Sequence, residues 1–415
     1  MESRNLKRVL IHSIVFSPDG VSTAYLYNDI ALGLVDNGFD VIVLTTKPHY
    51  NLIDLELTKQ PLSKKIGGLY YVSNFQGIEV YHIPLKKHKS TLKRIFSFVY
   101  WHIASFVLSL TFKRINFVLS PSPPLSIGFI SLLIAKLKGA KAIYNVQEIY
   151  PDLIINQGSL KSPLIINLLK KFEKVIYNNS DAVITIDKVF YSTILPRLSD
   201  SRKLHIIPNF VDTDLYKPIK SQLLLPAIFG EDNKKIKILY AGNIGFFQDW
   251  EPLLYAAKDL SSENVEFWII GEGVQKEYLE MEICNHNLIN IRTFPYQIRE
   301  LIPNINNYVD IHFIAINKQM EQDGFPSKVY TIMACAKPLI VITGEKTPLY
   351  NFLKGKNCAE LVTSDRNVNF TKSIRKLVKN KELREEMGIN GYNEIVKNYS
   401  KKVVVSKYAN LFNSL

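Results

Sequence analysis

The chain has little cysteine: Cys284, Cys335 and Cys358 are its only three, widely spaced and without a CxxC. That argues against a disulfide framework and a zinc site, and it suits a reducing cytosol. A secretory leader is also missing from the pattern. The apolar run from Val9 to Phe16 is broken by His12 and has no small-residue cleavage site, so it reads as a first buried strand. Carboxylates and histidines are not gathered at metal-ligand spacing beside any anion-binding segment, and no metal is expected. Acidic residues are the minority, 38 against 51 Lys+Arg. The net charge of +13 asks for an anionic partner: a nucleotide diphosphate, an acidic membrane surface or nucleic acid. Charge alone does not choose among them.

What is present is an ordinary globular composition, 47% apolar and 21% charged over 415 residues. Disorder is not the default, and the length favours two domains over one core. Arg8 to Phe16 is rich in β-branched residues and ends in Ser17-Pro18-Asp19-Gly20; apolar residues at helical spacing continue to Leu34, and Val41 to Thr45 is the next strand. The order recurs at Phe117 to Leu119, a helix to about Lys138, and Ala142 to Val146. A second series follows Ile206-Ile207-Pro208-Asn209, with strands at Ile236 to Tyr240, Val265 to Ile270, Ile311 to Ile314 and Leu339 to Val341. Such alternation predicts parallel sheets covered by helices on both faces. The domains are drawn at 1–204 and 205–395, with a C-terminal helical segment, 396–415, that could pack back on the first.

From Ile95 to Phe112 the chain carries no formal charge, and Lys86, Lys87, Lys89, Lys93, Arg94, Lys113 and Arg114 bracket the stretch. As a helix it would reach about 27 Å, just short of a hydrocarbon core. Ser97, His102, Ser105, Ser109 and Thr111 favour a packed domain helix or an interfacial helix over a membrane span.

Three segments carry chemistry. Asp19-Gly20-Val21-Ser22 joins a buried strand to a helix start, where free N–H groups suit an anion or a sugar hydroxyl; the plainer reading is a turn with Ser22 as N-cap. Tyr240-Ala241-Gly242-Asn243-Ile244-Gly245 lies at a strand's C-terminal end, with glycines that let a phosphate approach the main chain and Gln248 close behind. Asp323-Gly324-Phe325-Pro326-Ser327-Lys328 opens a helix, Pro326 suiting its first turn, so that a helix N-terminus and the Lys328 ammonium form a diphosphate site.

Together, Phe16 to Tyr25, Ile206 to Asp212, Leu239 to Gln248, Ile270-Gly271-Glu272-Gly273 and Phe325 to Pro338 resemble family 4 glycosyltransferases of the GT-B fold. Asn145-Val146-Gln147-Glu148-Ile149-Tyr150-Pro151-Asp152, with Gly242 to Gly245 and Pro326-Ser327-Lys328, is similar to the bacterial WbuB-like branch. The resemblance implies two Rossmann-like α/β domains facing each other across a cleft, the C-terminal one binding a nucleotide sugar and the N-terminal one the acceptor. Gly242 and Lys328 would meet the diphosphate, Gly324, Phe325, Pro326 and Ser327 the donor sugar and phosphate, and the stretch around Tyr296 the base, with Asn243, Gln248 and Thr331 also in the donor site. Asp19, Gly20, Ser22 and Glu148 would face the acceptor, and Lys328, Asp323 and Glu148 are the catalytic candidates. Glu272 is poorly placed and reads as a cap of its own turn.

The chain departs from the family pattern at two places. Asn243 and Gln248 stand where many members carry a basic pair, and the two glutamates eight residues apart fall on Asp323 and Thr331. Thr331 cannot accept both ribose hydroxyls as a carboxylate would.

The implied activity is retaining transfer, without a metal or other cofactor, from a UDP-linked sugar, an N-acetylated deoxy sugar among the candidates. The implied acceptor is a polyprenyl-diphosphate-linked saccharide, as in O-antigen, capsule or exopolysaccharide synthesis. The expected location is the cytoplasmic face of the plasma membrane, held peripherally by an anionic surface, with no nucleic acid as partner. The rival readings are a UDP-N-acetylglucosamine 2-epimerase, for which no His/Glu cluster stands out, and a non-catalytic nucleotide-sugar-binding membrane-surface protein.

Overall fold

The computed structural model describes residues 6–50, 52, 54–85, 90–156, 158–219, 225–230, 234–319 and 325–415. Asp323, Gly324, Lys86, Lys87 and Lys89 lie outside them. The chain forms two compact units, 1–209 with 401–415, and 210–400.

Short apolar runs that are buried on both faces form parallel strands, because only a sheet covered by helices on each side can accept them. In the first unit the described strands are β1 (Arg8–His12), β2 (Asp40–Thr46), β3 (Ser63–Lys65), β4 (Tyr70–Phe75), β5 (Ile78–Ile83), β6 (Ile115–Ser122), β7 (Lys141–Val146), β8 (Ala182–Thr185) and β9 (Leu204–Ile206). Their order is β3-β4-β5-β2-β1-β6-β7-β8-β9. From β5 to β9 all neighbours are parallel, in the doubly wound order that reverses between β1 and β6. The antiparallel edge made by β3, β4 and β5 departs from the expected all-parallel sheet. Its cause is a two-residue turn at Gln76-Gly77, both at positive φ, closed by Asn74 Oδ1 accepting the Gly77 N–H at 2.8 Å.

The second unit holds β10 (Ile236–Ala241), β11 (Val265–Ile270), β12 (Ile291–Phe294), β13 (Ile311–Ala315), β14 (Leu339–Ile342) and β15 (Ala359–Val362). The order β12-β11-β10-β13-β14-β15 is again doubly wound, reversing between β10 and β13. Every residue of β11 is buried, including Glu266, whose carboxylate accepts the Trp268 indole N–H at 2.6 Å.

The last helix, Lys401–Ser414, belongs to the first unit. Phe412 stacks on Phe117 at 5.0 Å, Asn145 Nδ2 donates to the Tyr408 hydroxyl at 2.9 Å, and Lys401 pairs with Asp29 at 3.1 Å. The helix lies so close to Ser22–Asp36 that a Cβ on Gly33 would stand 2.5 Å from Val405.

A second brace is electrostatic. Arg197 donates to both oxygens of Glu173 at 2.8 and 2.9 Å and also pairs with Asp152, while the Tyr177 hydroxyl donates to Glu173 at 2.9 Å. The Glu173 side chain is 1% exposed. Removing one partner of a buried pair leaves the other uncompensated. Glu173→Ala should therefore lower the stability of the first unit by about 3–5 kcal/mol in chemical denaturation. A loss below about 1 kcal/mol would make the network no better than a surface ion pair.

Candidate active site

In the second unit, the carboxyl ends of β10 and β11 are held together by backbone. Gly242 N–H donates to Ile270 O at 2.8 Å, Ile244 N–H to Glu272 O at 2.9 Å, and Gln275 N–H to Ile244 O at 2.9 Å. Side chains would prevent this approach: a Cβ on Gly271 would stand 1.8 Å from Gly242 O, and one on Gly273 2.2 Å from Ile244 O. The polar side chains expected here serve the loop itself. Gln248 Oε1 accepts the Gly245 N–H at 3.0 Å, and the Tyr240 hydroxyl donates to Asn243 O at 2.7 Å, leaving the Asn243 side chain exposed. Glu272 pairs with Lys276 at 2.6 Å.

Lys328 reaches into this same place. Its Nζ stands 3.8 Å from the centroid of the Tyr240 ring, and a Cβ on Gly242 would meet that Nζ at 2.5 Å. The ammonium is therefore packed between an aromatic face and a bare backbone. Burial pushes its pKa down from 10.5 to about 7. Tyr240, which receives it, opens the segment singled out from sequence but was given no role there; an aromatic two residues before a glycine at a strand end is the signal that could have marked it.

The helix that Lys328 opens is short, Lys328–Ala334, and the reading of Pro326 shifts accordingly. Pro326 precedes the cap residue Ser327, which makes no side-chain cap bond; Pro326 O and Ser327 O accept from Val329 and Tyr330 N–H at 3.1 Å each. With only seven residues the helix contributes less to an anion than the lysine does. Thr331 donates its hydroxyl to Lys328 O at 2.9 Å, and Phe325 packs on Tyr330 and Phe352. Tyr296, beyond β12, is 60% exposed.

In the first unit, the Asp19 carboxylate is buried and its Oδ1 accepts the N–H groups of His49 and Tyr50 at 2.8 and 2.7 Å. Gly20 N–H donates to Tyr50 O at 3.0 Å, so this loop anchors the one after β2. Asp19 Oδ2 has no hydrogen-bond partner among the described residues, and burial raises the carboxyl's pKa against the pull of its N–H donors. The expected N-cap at Ser22 is corrected: Val21 occupies the cap, without a side-chain bond, and Ser22 begins the helix with its side chain exposed. Glu148 is half-buried, and loss of water raises its pKa.

The uncharged stretch forms the helix Thr91–Ser109. Among the described residues no helix is long and apolar enough to cross a membrane. The Thr91–Ser109 helix is apolar on both faces, with Ala104, Phe106 and Leu108 packed on the core. Trp101, His102, Ser105 and Ser109 face inward, while Ile95, Phe96, Val99, Ile103 and Val107 are exposed. The inward histidine is tolerated because it is neutral: burial lowers His102 to about 4, and His12, stacked on Trp101 at 5.2 Å, to about 3.

Two Rossmann-ordered parallel-sheet units define the GT-B fold of glycosyltransferases. Residues 222–394 match the family model described as Glycosyl transferases group 1. The chain is 25% identical over 362 residues to the putative colanic acid biosynthesis glycosyl transferase WcaI of Escherichia coli K12, covering 82% of this chain and 84% of that one. It is 23% identical to the probable glycosyltransferase WbjE of Pseudomonas aeruginosa, over 55% of this chain and 58% of the relative. Among solved structures, sucrose-phosphate synthase of Thermosynechococcus elongatus superposes with a TM-score of 0.73 at 13% identity over 98% of both chains. Anabaena HepE in complex with UDP superposes at 0.72 and 11% identity, over 99% of this chain and 100% of that one.

Because the folded pKa of Lys328 lies below its unfolded value, the unfolded chain binds more protons between about pH 7 and 10.5. This group's contribution to stability therefore increases as pH rises through that window. Lys328→Met keeps the length and removes the charge, and it should flatten that part of the pH dependence in denaturation of the second unit. Equal slopes for variant and wild type would place the ammonium in water.

Proposed function

We propose that the protein is a retaining family 4 glycosyltransferase of the WbuB-like branch. It moves a sugar from a UDP-sugar to a polyprenyl-diphosphate-linked saccharide in the synthesis of O-antigen, capsule or exopolysaccharide. Support comes from the glycosyl transferases group 1 match, from a relative named for colanic acid biosynthesis, and from the UDP held by the structural neighbour HepE. The observation that carries the proposal is the Lys328 ammonium packed over Tyr240 beside the side-chain-free backbone of Gly242.

Breaking a glycosidic bond to a nucleotide diphosphate leaves charge on the departing phosphate. A preorganised ammonium kept from bulk water stabilises that charge more than an exposed one would. With a pKa near 7 the amine is partly neutral before the donor binds, and the diphosphate draws the proton on. Donor binding above neutral pH should therefore take up a proton, visible as a buffer-dependent heat. Asn243, Gln248, Phe325, Pro326, Ser327 and Thr331 would shape the donor site around this point, with Tyr296 beside the base, while Asp19, Gly20, Ser22 and Glu148 serve the acceptor. Asp323 and Gly324 belong to the same proposed donor set. Lys328→Ala should lower kcat by about 2.7–4 kcal/mol, more than it weakens donor binding, and Lys328→Arg should recover only part. Near-normal kcat in a folded Lys328→Ala protein would remove the proposed site.

The same proposal includes peripheral attachment to the cytoplasmic face of the plasma membrane. The helices Thr91–Ser109, Leu125–Lys138 and Pro163–Asn179 lie side by side and expose Phe96, Leu137 and Leu164, at 73%, 64% and 80%. Their sequences carry Lys93, Arg94, Lys136, Lys138, Lys170, Lys171 and Lys174 and one acid, Glu173, which is buried against Arg197. Exposed apolar residues on helices rich in cations suit anionic lipid. The protein should sediment with anionic vesicles at low salt and be largely released at high salt, whereas equal recovery with neutral vesicles would leave the lysines without a role.

A further inference from the structure

The first unit contains a cavity of about 750 Å3 where the chain leaves the carboxyl ends of β2 and β5. That volume is ample for a small organic ligand, and the carboxyl edge of a doubly wound sheet is where such ligands sit. Its walls divide by chemistry. Lys47, His49 and Lys93 line it and, among the described residues, no carboxylate does, while Tyr71, Phe96 and Tyr100 supply aromatic surface. Lys47 Nζ lies 4.6 Å from the Tyr71 ring centroid, a cation held at the wall by an aromatic face. The wall containing His49 is fixed by Asp19, which accepts two N–H groups of its loop.

Phe96 and Tyr100 are also members of the exposed apolar stripe of the helix Thr91–Ser109. The cavity and the stripe are thus one continuous surface, cationic at one end and apolar along the other. A free phosphate would use only the first half of it, and a neutral lipid only the second. We propose that this surface binds a prenyl-type lipid phosphate or diphosphate, with the anion among Lys47, His49 and Lys93 and the chain along Phe96, Tyr100 and the stripe. The proposal deepens the acceptor side of the function proposed above and rests on it for biological meaning, while Asp19 becomes a positioning residue for the cavity wall.

Calorimetric titration of the full chain with farnesyl diphosphate, inorganic pyrophosphate and farnesol, with and without saturating UDP, tests it. Farnesyl diphosphate should bind at least tenfold more tightly than either half-ligand, and UDP should leave that affinity unchanged. The double variants Lys47→Gln/Lys93→Gln and Phe96→Asp/Tyr100→Ser alter surface side chains, and each should weaken binding at least tenfold. Wild-type affinity in both variants, pyrophosphate or farnesol binding as well as the intact lipid, or competition by UDP would each overturn the assignment. UDP titrated into the same samples separates the two claims. Loss of the lipid site with UDP binding intact removes only the cavity, whereas lipid binding without any UDP or UDP-sugar binding removes the transferase reading and leaves the cavity standing.

Discussion

A lysine ammonium packed against the face of Tyr240 is the interaction around which the carboxyl-end loops of the second unit are arranged. It requires three things at once. The β10 strand must carry an aromatic residue two places before a glycine, the end of β11 must come close enough to hydrogen-bond that glycine, and a helix must begin with lysine at the right height. Each Cβ absent from Gly242, Gly271 and Gly273 removes an obstacle to that packing. An amine so placed is held below its ordinary basicity by burial.

The first unit answers a different constraint. The helix Thr91–Ser109 packs Trp101, Phe106 and Leu108 on the core beside its serines and a neutral histidine, yet still turns phenylalanine and isoleucine outward, where apolar surface gains nothing from water. The inward polar groups are partly satisfied: His12 Nδ1 meets Ser131 Oγ at 2.9 Å and His102 Nε2 meets Ser126 Oγ at 2.9 Å. The arrangement is coherent when the outward face has an apolar neighbour of its own, which is the physical basis of the membrane proposal.

The two doubly wound sheets were readable in the sequence because their strands are short apolar runs separated by turn residues; Val265 to Ile270 coincides with β11 residue for residue. The β3 to β5 edge was not, since Tyr70–Phe75 mixes aromatic, Ser and Asn and its Gln76-Gly77 turn is a weaker signal than Asn-Gly. In the site, the loops after β10 and before Lys328 announce themselves through glycine and proline, but the meeting of Lys328 with Tyr240 is a tertiary contact without a local trace. The lack of charge from Ile95 to Phe112 was equally plain, while the direction in which its apolar face points was not. Periodicity locates a stripe; only packing tells inside from outside.

The final helix closes the first unit after the second has been completed in sequence. Val211 pairs with Ser400 and its N–H meets Tyr399 O at 3.0 Å, so the second unit's ends are joined to each other before residue 401 is reached. During synthesis from the N-terminus, residues 210–400 can reach their native contacts while the first unit still lacks Tyr408 beneath Asn145 and Phe412 over Phe117. The first unit is therefore complete only with the last helix, and a chain that stops short of it leaves Phe117 and Gly33 without these partners.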